Sequence, residues 1–252
     1  MTKTALITGA ASGIGLATAQ RFAAEGYALV LVDRNAEGLA AAAEGLPAGT
    51  PTLLCPGSVT DAGDVASAFA RATERFGGVD AVVTSAGIVK TGPSVEVTPE
   101  DFRAHLEVNV VGSWLFAQAA ARDMITRGVP GSIVMIGSVY GAAGAPHRAA
   151  YCASKGAVHN LVQALAVEWG AQNIRVNAVA PTGVRTPMVQ ALIDEGKYNT
   201  AGVKARTPLG RLAEAEEIAN ACWFLSSDQA AMITGAMLAV DGGWLANGYT
   251  FS

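Results

Sequence analysis

The sequence predicts an α/β fold, a doubly wound parallel sheet of seven strands with helices on both faces, carried by a single domain over residues 1–252. Three observations lead there. Apolar periodicity alternates along the chain between short strand-like runs and longer helical stretches, with Gly-containing turns between them, which is the pattern of repeated βαβ units. Hydrophobic residues make up 51% and charged residues only 15%, too apolar a balance for a disordered chain. No Pro/Ser/Gly-rich linker, composition shift or solenoid repeat divides the chain, so its length does not argue for a second domain.

The elements follow in order. Thr4 to Thr8 is the first strand, and the turn after it leads into the amphipathic helix Ile14 to Glu25. The run Leu29-Val30-Leu31-Val32 marks a second strand, Ala28 to Val32, followed by a helix near Glu37 to Ala43 and a strand Thr52 to Cys55. A helix over Ala62 to Phe76, a strand Ala81 to Thr84 and a long helix Pro99 to Thr126 continue the alternation. Ser132 to Ile136, the helix Ala149 to Gly170, the strand Arg175 to Ala180, the helix Glu214 to Leu225 and a last strand Met237 to Val240 complete it. Right-handed crossovers put these helices on both faces. The least regular stretch is Thr186 to Arg211, where Pro187, Gly196, Gly202, Pro208 and Gly210 surround an apolar patch, Met188 to Ile193; we read it as a mobile flap.

Composition excludes several roles. Net charge is -4, and no basic block is present that could neutralise a run of phosphates, which argues against nucleic-acid binding. The longest apolar runs fall far short of the ~18 to 20 residues needed to span a bilayer. Residues Met1 to Ile7 run into a strand without the apolar stretch and cleavage site of a signal peptide, so a cytoplasmic protein is expected. Cys55, Cys152 and Cys222 lack any Cys-x-x-Cys spacing and read as reduced and structural. The three histidines lack metal-like spacing, so no metal site is expected; His105 and His159 read as solvated or helix-surface residues.

After the first strand comes Thr8-Gly9-Ala10-Ala11-Ser12-Gly13-Ile14-Gly15. Residues without Cβ let the backbone approach a pyrophosphate, whose charge meets the N–H groups and positive end of the following helix. A plain tight turn would use the same glycines, but Asp33 ends the second strand about twenty residues on, where a carboxylate accepts from both ribose hydroxyls of NAD and repels a 2′-phosphate. NAD is therefore expected over NADP, although the adjacent Arg34 could attract that phosphate. Tyr151 and Lys155 stand four residues apart on one helix face. A phenol is a weak base at neutral pH, and a cation one turn away favours its phenolate. Cys152 beside it has no paired base.

Taken together, Thr8-Gly9-x-x-x-Gly13-x-Gly15, Ala86-Gly87, Asn109, Ser138, Tyr151-x-x-x-Lys155, Asn177 through Pro181 and Val240-Asp241-Gly242-Gly243 resemble, in order and over essentially the whole chain, the short-chain dehydrogenase/reductase family. The resemblance implies a Rossmann-type sheet of order 3-2-1-4-5-6-7 with the nicotinamide across its C-terminal edge. It implies Tyr151 as general acid/base, Ser138 bonding the substrate oxygen, Lys155 lowering the tyrosine pKa and binding the nicotinamide ribose, and Asn109 positioning a water behind the lysine. It also implies a cofactor cradle of Gly9, Ser12, Gly13, Ile14, Gly15, Asp33, Ser58, Val59, Ala86, Gly87, Pro181, Val184 and Thr186, together with Tyr151 and Lys155.

Three positions depart from the family pattern. Thr84-Ser85 stands for Asn-Asn, Ser58 for the Asp that contacts the adenine amino group, and Thr182 for the Gly after Pro181. By the same resemblance the loop Gly141 to Arg148 lines the substrate pocket, which makes His147, Tyr140, Met188 and Trp244 candidate substrate contacts. The small, apolar helices around Val110 to Ala121 and Ala149 to Gly170, with Met237 to Trp244, would build a homotetramer. The function expected is NAD-dependent interconversion of a secondary alcohol, such as a sugar, polyol or small cyclic alcohol, and its carbonyl. The alternatives are an NADPH-dependent 3-oxoacyl-carrier-protein reductase and, disfavoured by the intact Asn109, Ser138, Tyr151 and Lys155, a non-catalytic dinucleotide sensor.

Overall fold

The computed structural model describes residues 2–248. Seven strands, β1 (Thr4–Thr8), β2 (Ala28–Asp33), β3 (Thr52–Pro56), β4 (Ala81–Thr84), β5 (Gly131–Ile136), β6 (Ile174–Pro181) and β9 (Met237–Val240), form one parallel sheet of order β3-β2-β1-β4-β5-β6-β9. This is the expected Rossmann-type order. The last strand is β9 rather than a seventh because two short strands, β7 (Val184–Arg185) and β8 (Ala213–Glu214), pair separately.

Strand side chains alternate between the two faces. Ala5 and Ile7 join a core with Phe22 of α1 (Gly13–Ala24), Leu39 of α2 (Ala36–Glu44) and Ile218 of α9 (Ala215–Ser226). Leu6, between them, joins the opposite core with Phe69 of α3 (Ala62–Phe76), Phe116 of α5 (Gly112–Arg127) and Val162 of α6 (Ala149–Trp169). With both faces covered, the strands read as continuous apolar runs, and every residue of β1 is buried. The free edge is the strands' C-terminal end, where the loops carrying the motifs converge.

Two stretches differ from expectation. The single helix expected over Pro99 to Thr126 is α4 (Pro99–Leu106) and α5 joined by a π-helical turn, Glu107–Val111. The wider turn sets Asn109 inward, fully buried. The stretch read as irregular holds two helices, α7 (Pro187–Asp194) and α8 (Thr200–Arg206). Thr186 Oγ1 accepts from Val189 N at 3.3 Å, with Pro187 at the first helical position, and Asn199 Oδ1 accepts from Gly202 N at 2.8 Å. Capping outweighed the Gly and Pro count.

Candidate active site

At the C-terminal edge lies a cavity of about 340 Å³. The β1–α1 turn forms its floor. Gly9 and Gly13 have φ of +66° and +55°, and a Cβ on Gly9 would lie 2.9 Å from the backbone of Ala86. Ser12 is the N-cap of α1 but makes no side-chain cap bond, so the first-turn N–H groups keep no side-chain acceptor and suit a phosphate. Gly15 does not line the cavity; a Cβ there would fall on the Gly9 carbonyl, so its part is to seat α1 against the turn. Thr8 Oγ1 accepts from both Ser85 N and Ala86 N at 3.1 Å, which braces the neighbouring loop.

Asp33, at the end of β2, is held from both sides: Oδ2 accepts from Ala11 N at 3.1 Å and Oδ1 from Asn35 N at 3.0 Å. Arg34 lines the same wall. Ser58 and Val59 lie at the far end, where Ser58 N donates to Asp64 Oδ2 at 2.8 Å and the Ser58 and Thr60 hydroxyls stand 2.9 Å apart. This pocket, with a cradle a Cβ would fill at one end and a fixed carboxylate beside it, fits a dinucleotide.

The opposite wall holds the Tyr–Lys pair. Tyr151 and Lys155 rise from one face of α6 and both line the cavity, with the Lys155 Nζ 5.7 Å from the Tyr151 ring centroid. Lys155 Nζ donates to Ile136 O at 2.7 Å, and burial lowers its pKa to about 8. Burial raises the Tyr151 phenol above its ordinary value, opposed by the Ser138 hydroxyl and then by the Arg148 charge.

Ser138 is buried behind Tyr151, its Oγ accepting from Tyr140 N at 3.1 Å and its N–H donating to His159 Nε2 at 3.4 Å. Asn109 is spent on the scaffold. Its Oδ1 accepts from Ile88 N at 2.8 Å, and its Nδ2 donates to Ile88 O at 3.1 Å and Ser154 Oγ at 2.9 Å, which holds the loop after Gly87 against α6.

Of the residues expected in the cradle, Gly9, Ser12, Gly13, Ile14, Asp33, Ser58, Val59, Ala86, Gly87, Tyr151, Lys155 and Thr186 line the cavity, as does Met188. Pro181 and Val184 are buried beneath it, at the end of β6 and in β7. Tyr140 and Trp244 stand beyond Tyr151, with ring centroids 6.5 Å from Tyr151 to Tyr140 and 5.5 Å from Tyr140 to Trp244. His147 is elsewhere: it lines a separate cavity of about 180 Å³ with Lys90, Asp101 and His105, in a left-handed conformation of φ 61°. His105 is 2% exposed, not solvated, with Nε2 accepting from Lys90 N and Nδ1 facing Asp101 O. His159 packs under Ser138. Sequence reasoning missed Ile88, Val108 and Ile136 on the cavity wall, whose apolar character looks like ordinary core.

A glycine cradle, a strand-end carboxylate and a Tyr–Lys pair facing them across one cavity define a dinucleotide-dependent oxidoreductase. Comparison with known proteins gives the family. The model described as enoyl-(acyl carrier protein) reductase matches residues 9–245. Cis-4-hydroxycyclohexanecarboxylate dehydrogenase of Sinomonas cyclohexanicum is 42% identical, covering 97% of each chain. Glucose 1-dehydrogenase of Gluconobacter oxydans is 39% identical over 96% of this chain and 91% of its own. The chain spans only 43% of a third relative, an uncharacterized short-chain type dehydrogenase/reductase of Sinorhizobium fredii, at 41% identity. Among solved structures, ElxO with NADP bound superposes with a TM-score of 0.90 at 29% identity, over 98% of this chain and 100% of its own. The chain belongs to the short-chain dehydrogenase/reductase family and is an NAD(P)-dependent oxidoreductase acting on CH–OH groups. The NADP-bound neighbour removes any ground for treating NADP as the less probable cofactor on family resemblance alone. No described helix is long and apolar enough to cross a membrane.

Proposed function

We propose that the protein oxidises a secondary alcohol to its carbonyl with NAD, and runs the reverse reduction, with Tyr151 as the proton-transferring group. The observation that carries this reading is the placement of Tyr151 and Lys155 on the wall of the same cavity whose floor is the Gly9 to Gly15 turn. Bound there, the nicotinamide would take the hydride from, or return it to, the carbinol carbon. Tyr151 takes the hydroxyl proton at its phenolic oxygen in oxidation and returns it in reduction, and Ser138 holds the substrate oxygen beside it. Lys155 holds the nicotinamide ribose, and Asn109 keeps the loop after Gly87 in register with α6. Because burial raises the phenol, oxidation requires the minority phenolate and speeds up as pH rises, whereas reduction uses the phenol already present.

NAD is supported by Asp33, whose two carboxylate oxygens are fixed by Ala11 N and Asn35 N at the wall where a 2′-phosphate would stand. Arg34 on that wall, and the NADP in the related structure, support the second reading, an NADPH-dependent ketoreductase of the acyl-carrier type. Relatives named for a cyclic hydroxy acid and for glucose support a small-molecule alcohol. Trp114 and Val167, apolar and exposed on α5 and α6 at 37% and 87%, support a homotetramer built on those helices.

The test is cofactor reduction across secondary alcohols, polyols and aldoses, with NAD and NADP side by side. Turnover with NAD preferred is expected, and a clear NADP preference rejects the reading of Asp33. Tyr151→Phe should lose about 100-fold or more in kcat while still binding cofactor; near-normal turnover rejects its role.

A further inference from the structure

Beside Tyr151, among residues that do not line the cofactor cavity, stand further aromatic side chains. Tyr140 stands edge-on to both Tyr151 and Trp244. Two arginines lie against these rings. The Arg148 guanidinium lies 5.5 Å from the Tyr140 ring centroid and 5.7 Å from that of Tyr198, three residues before Tyr151 in sequence. No carboxylate pairs with it among the described residues, whereas Arg185 and Arg211 nearby are committed to Glu214 and Glu217. Arg206 stacks on Trp244, 3.7 Å from its ring centroid, and is exposed. Arg148 is half-buried, so its planar N–H fork is directed by two ring faces at a partly desolvated position.

We propose that the alcohol taken by this site carries a carboxylate, held by Arg148, on an apolar ring or short chain that packs between Tyr140, Tyr198 and Trp244. The inference rests on the alcohol-dehydrogenase reading and narrows it to hydroxy acids. A single guanidinium flanked by tyrosines matches a planar monoanion; a phosphate dianion calls for more than one cation.

The test is calorimetric titration of the protein, with NADH present so that the nicotinamide ring is uncharged. The probes are cyclohexanecarboxylate, neutral cyclohexanecarboxamide and cyclohexyl phosphate. The acid should bind about tenfold or more tightly than the amide. In Arg148→Gln that ratio should fall to about one, while Arg148→Lys, which keeps the charge and guards against a folding artefact, should retain a preference. Equal affinities for acid and amide, no binding of the acid at millimolar concentration, an unchanged ratio in Arg148→Gln, or tighter binding of the phosphate each overturns the proposal. The readout is binding, so it stands apart from turnover: an absence of oxidation with every alcohol would reject the dehydrogenase reading and leave the titration result unchanged.

Discussion

Lys155 carries a charge in a place that penalises it, and the penalty has a pH signature. The side chain is 5% exposed, and burial takes its pKa from 10.5 to about 8. At ~1.36 kcal/mol per tenfold change in proton affinity, holding the ammonium in the folded chain costs about 3 kcal/mol near neutral pH. Below the folded value both states are protonated and the cost is paid in full. Between about 8 and 10.5 the unfolded chain binds a proton that the folded chain does not, so the wild-type protein gains stability as pH rises through that window. Lys155→Met removes the titration. It also leaves the Ile136 carbonyl, which accepts from Nζ at 2.7 Å, without its donor, a cost of about 1–3 kcal/mol that does not depend on pH. The absolute change at neutral pH is therefore a near-balance of two opposed effects, but its pH dependence isolates the charge. Relative to wild type, Lys155→Met should lose about 2 kcal/mol of stability between about pH 7 and about pH 9.5. Urea unfolding of both proteins at the two pH values, with equal m-values, measures it. A difference between the proteins that stays flat across the window would refute the claim that burial of the ammonium dominates at this position.

Two further changes test the scaffold around the site. Thr84→Val should stabilise the protein by about 1 kcal/mol, because the Thr84 hydroxyl is buried without a hydrogen-bond partner and valine has the same shape; a lower unfolding midpoint in urea would show that this hydroxyl is satisfied. Gly15→Ala should cost about 1–3 kcal/mol and weaken cofactor binding, although Gly15 touches no part of the cavity, since its Cβ would meet the Gly9 carbonyl and push α1 off the turn. Fluorescence titration with NADH and thermal unfolding check both halves of that statement, and an unchanged protein would mean the turn can shift freely.

The strands and the cofactor cradle were readable because their signals are local. A strand buried on both faces writes a continuous apolar run, as in Leu29 to Val32, and a phosphate turn needs its glycines within seven residues. Tyr151 and Lys155 are one helical turn apart and so share a face of α6, but that spacing is ordinary on helices, and its reading came from the ordered set of family motifs. What the sequence hid is set by geometry that crosses the chain. The π-helical turn at Glu107–Val111 leaves no mark in composition, yet it decides that Asn109 spends its amide on Ile88 and Ser154. His105 and His159 looked solvated because each lies on a helix whose partner loop, at Lys90 and at Ser138, is distant in sequence. The helices of the 186–211 region could have been found from Thr186-Pro187 and from Asn199 three residues before Gly202, both capping signals that the count of Gly and Pro obscured.

The same distinction explains why the reaction type was easier to read than the substrate. The Tyr151 and Lys155 pair that we propose for proton transfer is held at fixed spacing by α6, and a family keeps that spacing. The substrate compartment we propose is assembled from Tyr140, Arg148, Tyr198 and Trp244, which come from three segments and meet only when the loop after β5, the segment between α7 and α8 and the loop after β9 fold together. None of these residues is diagnostic alone: a tyrosine, a tryptophan or an arginine in a loop is ordinary surface chemistry. Their meaning lies in the fact that no carboxylate among the described residues pairs with Arg148, which no window of sequence can show. An arginine left half-buried on two ring faces with no acidic partner gives up hydration without recovering an ion pair, which a bound carboxylate would supply. Binding of a carboxylate should therefore raise the thermal unfolding midpoint of the wild-type protein more than that of Arg148→Gln, a linkage that follows from the site whether or not the bound acid can react.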